Sequence, residues 1–67
     1  MQVFYIGSQK YKIKYFRSPL GFIKFLIYVW IPPAWTNCTE YNLPLETTPE
    51  EIRQFANAEI KRLESLQ

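Results

Sequence analysis

The sequence predicts an α+β domain: a three- or four-stranded antiparallel β-meander with one C-terminal α-helix packed on one face, in the order β-β-β-(β)-α. Three observations predict it. Tyr11, Ile13 and Tyr15 alternate with Lys10, Lys12 and Lys14, which is the period of a half-buried strand. Two turn signals, Gly7-Ser8-Gln9 and Ser18-Pro19-Leu20-Gly21, separate runs rich in β-branched and aromatic residues, as expected of successive hairpins. After Thr48 the apolar residues recur at three- and four-residue steps, the signature of an amphipathic helix.

Taken in order, Gln2–Ile6 reads as the first strand, and Gly7 supplies the positive φ that a tight hairpin requires. Lys10–Arg17 is the second strand. In Ser18-Pro19-Leu20-Gly21, Pro fixes φ at the second turn position and Gly tolerates a left-handed exit at the fourth. Phe22–Ile31 follows as a nearly continuous apolar run, which suits a central strand; a helix is the rival for this segment, but Phe, Ile, Tyr, Val and Trp favour the strand. Pro32-Pro33 removes two amide donors and ends it. Trp35–Leu45 reads either as a loop or as a short edge strand over Cys38–Leu43, with Pro44 barring further central pairing. The helix is expected from Pro49 to Leu66. Thr48 caps it, Pro49 suits its first position and Glu51 completes a capping box. Glu50 and Glu51 meet the positive end of its dipole, Lys61 and Arg62 the negative end.

The helix stripe of Ile52, Phe55, Ala56, Ile60, Leu63 and Leu66 must rest on one side of the sheet. On the third strand, Ile23, Phe25, Ile27, Val29 and Ile31 form a purely apolar set and are expected to face the helix, together with Tyr11, Ile13 and Tyr15 of the second. Period-two geometry then places Lys10, Lys12, Lys14 and Lys24 on the opposite face with Phe16, Leu26, Tyr28 and Trp30.

Composition sets the limits on function. At 67 residues, the chain has room for one domain, 1–67, and buries only about 60% of the surface its unfolded form exposes. Cys38 is its one cysteine, so no internal disulfide forms, and a cytoplasmic location is expected. With no His, no Asp and one Cys, a zinc site lacks ligands, and no metal or other cofactor is expected. Density must come instead from 5 Phe, 5 Tyr and 2 Trp, each able to bury roughly 150–250 Å².

No catalytic residue emerges, and the chain is not expected to be an enzyme. Acid–base chemistry draws on His, Asp and Glu. Here Glu50, Glu51, Glu59 and Glu64 are accounted for by helix capping and solvation, and Glu40 and Glu46 read as loop residues without a carboxylate partner. Cys38 has no His to activate it. Gly7 and Gly21 are too isolated to build a phosphate loop. Pro19–Trp35 is apolar but carries Lys24 and meets Pro32-Pro33 before the roughly 20 residues a spanning helix needs, so no transmembrane segment is expected.

The net charge of +2 conceals a division: residues 1–36 carry five basic groups and no acid, residues 37–67 three basic groups and six Glu. That polarity suits a steered partner or contact between copies. The strand-strand-strand-helix pattern itself is shared by unrelated proteins and implies no function. The basic-aromatic face does point somewhere, because contiguous patches of this kind mark contact sites. Its first reading is protein–protein binding, as an adaptor, an inhibitor or a homo-oligomer, since Tyr and Trp are enriched at interfaces. The alternative is single-stranded RNA binding, with rings stacking on bases and lysines neutralising phosphates. A third account needs no partner: the rings pack along the lysine stems, or against Trp35 and the segment that follows it.

Overall fold

The computed structural model describes residues 2–66. Its elements are β1 (Gln2–Ile6), β2 (Gln9–Ser18), β3 (Phe22–Ile31), β4 (Ala34–Pro44) and α1 (Pro49–Ser65). The strands form one antiparallel sheet in the order β1-β2-β3-β4, so the α+β meander with a C-terminal helix is the architecture of the chain.

Each hairpin follows from its turn residues. Between β1 and β2, Gly7 takes φ 61°, and between β2 and β3, Gly21 takes φ 92°, a region that disfavours any residue with a Cβ. The Gly21 amide donates to the Ser18 carbonyl at 3.1 Å, closing the Ser-Pro-Leu-Gly turn. Pro32 and Pro33 connect β3 to β4 through a cis peptide. The Thr48 capping box forms as expected: its Oγ1 accepts from the Glu51 amide at 3.2 Å, and its own amide donates to Glu51 Oε1 at 2.9 Å.

The core lies between α1 and one face of the sheet. Phe25 and Ile27 are completely buried, surrounded by Ile6, Tyr11, Ile13, Ile23, Ile52, Ala56 and Leu63. Phe55 of the helix stands edge-on to both Phe25 and Tyr41, with ring centroids 4.9 and 5.1 Å apart. Edge-to-face contacts of this kind add to the area buried, and they set the helix across the junction of β3 and β4.

Four expectations need correcting. The fourth strand is real and runs from Ala34, well before Cys38; Pro44 is tolerated at its end because β4 is an edge strand. Ile31 is 53% exposed because it sits at the hairpin tip, outside the core cluster. Tyr15 occupies the helix side but is 52% exposed, because β1 pairs with β2 only as far as Ile13 among the described residues. Leu66 is the helix C-cap, three residues beyond Leu63, and is 70% exposed rather than part of the packed stripe.

Candidate functional site

Register fixes what the side of the sheet away from α1 presents. Lys12 pairs with Tyr28 and Lys14 with Leu26, while Phe16 pairs with Lys24; directly paired residues share a face. The eight residues expected together, Lys10, Lys12, Lys14, Phe16, Lys24, Leu26, Tyr28 and Trp30, therefore do share one face. Its outer row is supplied by β1, where Val3 pairs with Lys12 and Tyr5 with Lys10; these two are 47% and 66% exposed.

Trp35 reaches this face through an irregularity. Ile27 pairs with Thr39, but Tyr28 pairs with Asn37, so Cys38 is an extra residue in β4. A bulge of this kind reverses the alternation beyond it and re-aims the side chains there. Counting back by twos from Tyr41 would have sent Trp35 towards the helix; with the bulge, Trp35 pairs with Trp30. The two indoles meet edge-on at 5.3 Å.

The lysines lie along these rings. Lys12 Nζ is 4.6 Å from the Trp35 ring centre and 5.2 Å from that of Tyr28; Lys10 Nζ is 5.6 Å from Trp35 and 6.0 Å from Trp30. Lys14 and Lys24 stand at 5.9 Å from Phe16 and 6.0 Å from Phe22. Attraction between an ammonium and a ring face holds the charges over the sheet instead of letting the stems extend freely.

Leu26 is on this side but 6% exposed, so it supports the surface from below and offers little to a ligand. Glu40, expected in a loop, is a β4 residue paired with Leu26 in the ladder. Its carboxylate forms an ion pair with Lys24 Nζ at 3.1 Å. Among the described residues, Lys10, Lys12 and Lys14 have no carboxylate partner. The face thus combines three uncompensated cations with partly exposed rings of Tyr28, Trp30 and Trp35 and the exposed rings of Tyr5 and Phe16.

Among the described residues no three His, Cys, Asp or Glu side chains come together as a metal-binding group. Among the described residues no helix is long and apolar enough to cross a membrane. Cys38 is exposed at the bulge, with the Thr39 hydroxyl donating weakly towards its sulfur at 3.8 Å. Glu59, expected to be solvated, is buried. It accepts a 2.9 Å hydrogen bond from the Tyr41 hydroxyl and is gripped by the Arg62 guanidinium at 3.1 to 3.4 Å. The cluster joins α1 to β4.

No family model, no curated protein and no solved structure matches this chain. Function has to be inferred from the surface itself.

Proposed function

We propose that this chain is a non-enzymatic binding module whose basic-aromatic sheet face docks an acidic, partly apolar surface of another protein. The observation that carries the reading is the row Lys10, Lys12 and Lys14, without carboxylate partners among the described residues and seated against rings of the same face. Rings at an interface core surrounded by complementary charge are what partner docking uses.

Stacking on RNA bases is the less favoured reading. The ring faces of Tyr28, Trp30 and Trp35 already have lysine ammonium groups within 4.6 to 6.0 Å, so a base must displace a cation before it can stack. The face carries a carboxylate, Glu40, and its cations are all lysine, without the planar fork of arginine that binds phosphate in two places. Face-to-face pairing of two copies would oppose two rows of like charge, which argues for a different protein as partner.

The test is selection of displayed random peptides on the wild-type chain and on the Lys10→Glu/Lys12→Glu variant. Peptides rich in Asp or Glu with interspersed aromatic or aliphatic residues should be enriched on the wild type and lost on the variant. Equal enrichment on both proteins would count against the reading. So would preferential, steeply salt-dependent binding of an oligouridylate that Trp30→Ala abolishes.

A further inference from the structure

A second surface, which shares Lys14 and Phe16 with the open face, lies at the outer edge of β2. Strand β1 covers β2 from Gln9 to Ile13, whereas β2 continues to Ser18 and pairs with β3 over that whole stretch. Among the described residues, Lys14–Ser18 therefore has a strand on one side only. At about 3.3 Å per residue, this leaves roughly 17 Å of edge whose outward amides and carbonyls are a template for another strand.

The edge opens onto a groove between β2 and the first half of α1, about 910 Å³ in volume, with Ile13, Tyr15, Pro49, Ile52, Arg53 and Ala56 among its walls. A smaller hollow of about 160 Å³ continues from it past Tyr15 to Arg17 and Ile23. The charged residues bordering both are Lys12, Lys14, Arg17 and Arg53, with no acid among them; Arg17 and Arg53 are on the helix side, whereas the Lys12 and Lys14 ammonium groups lie over rings of the open face. Neither Arg17 nor Arg53 forms an ion pair among the described residues. Tyr15 and Phe16 are 52% and 43% exposed at the same edge.

We propose that this edge binds an extended segment of a partner protein as an added β-strand in line with β1, and that the segment reads acidic-apolar-apolar-acidic. The order follows from the pleat. Residues directly opposite each other point to the same face, so the positions facing Tyr15 and Phe16 take apolar side chains, one over the groove and one on the outer side. Those facing Lys14 and Arg17 take carboxylates. Because the pattern is symmetrical, it holds for either strand direction. Main-chain hydrogen bonds supply the binding and the alternate side chains the selectivity, as in other strand-addition complexes. The basic lining selects an acidic peptide over a basic one, and main-chain pairing along the edge, which a nucleic acid cannot supply, selects a peptide over RNA.

The experiment uses the whole chain, labelled with nitrogen-15, and the peptide acetyl-Gly-Glu-Val-Phe-Glu-Gly-amide. Amide shifts should concentrate at Lys14–Ser18 and Arg53, with slowed hydrogen exchange along the edge. A peptide methylated on the nitrogens that face β2, and one with both Glu replaced by Lys, should each bind at least tenfold more weakly. The double variant Lys14→Glu/Arg17→Glu should reverse the preference and take the Lys peptide. Equal binding of the methylated peptide would overturn the proposal, as would failure of the charge swap in a folded variant. Shifts confined to Tyr28, Trp30 and Trp35 would assign the peptide to the open face and overturn it. An oligouridylate that competes for the edge amides, or edge amides already protected in a sedimenting dimer, would overturn it in favour of RNA or of a second copy.

Discussion

The Tyr41 hydroxyl donates a 2.9 Å hydrogen bond to the Glu59 carboxylate, joining the edge strand β4 to the helix that covers the sheet. Glu59 also receives the Arg62 guanidinium, so a carboxylate that is 8% exposed has donors from two elements. A buried charge is tolerable when it is paired and hydrogen-bonded in this way.

Tyr41→Phe removes one donor while keeping the ring against Phe55. The expected loss is about 1.5 to 3 kcal/mol, the range for a hydrogen bond to a charged group, read as a lower urea midpoint with an unchanged slope. Glu59→Leu should cost less than the sum of the Tyr41 and Arg62 single losses, because it removes the buried charge along with its contacts.

Alkaline pH should act through the same contact. The hydrogen bond to Glu59, then burial, then the carboxylate's negative charge hold the Tyr41 phenol above its ordinary value of 10.0. A raised folded-state value means that the stabilisation is complete below about pH 10 and is lost as pH climbs through that raised value. Tyrosinate absorbance should contain a late component that Tyr41→Phe abolishes, and unfolding midpoints of the two proteins should converge as that component titrates.

In the core, Phe25→Ala should cost about 3 to 5 kcal/mol, since the ring is completely buried. A domain of this length has a stability of only about 3 to 10 kcal/mol. Circular dichroism should therefore show a melting temperature lowered by more than about 10 °C, whereas Ile31→Ala, at the exposed hairpin tip, should leave the melting curve almost unchanged.

On the open face, Lys12 and Trp35 should be energetically coupled. Their 4.6 Å approach corresponds to about 0.5 to 1 kcal/mol for a solvent-accessible cation–ring contact. A double-mutant cycle with Lys12→Met and Trp35→Leu, followed by urea unfolding, measures it directly. A coupling indistinguishable from zero would mean that the ring does not hold the lysine.

The fold was legible where its signals are local. Alternation along Lys10–Tyr15, the Ser18–Gly21 turn and the Thr48–Glu51 capping box depend on residues within a few positions of one another, and each appears in the structure as the sequence implies. Which residues of β2 and β3 share the open face was legible for the same reason. Trp35 was not, because one extra residue, Cys38, inverts the parity of β4, and no count by twos reveals a bulge. Glu59 did leave a trace: it stands three residues after Ala56 and four before Leu63, on the apolar stripe itself. What that spacing could not disclose is Tyr41 arriving from another element to satisfy it. Tyr15 was assigned to its correct side, but its exposure depends on where β1 stops pairing, which is a tertiary fact.

The most direct test of the docking surface is amide and indole shift mapping of the whole chain with an acidic peptide obtained by selection on it. The account expects the Trp30 and Trp35 indole N–H signals and the amides of Lys10, Lys12 and Tyr28 to move together, with the effect lost in Lys10→Glu/Lys12→Glu. Shifts confined to the solvent side of α1, or a surface that answers only to oligouridylate, would contradict it.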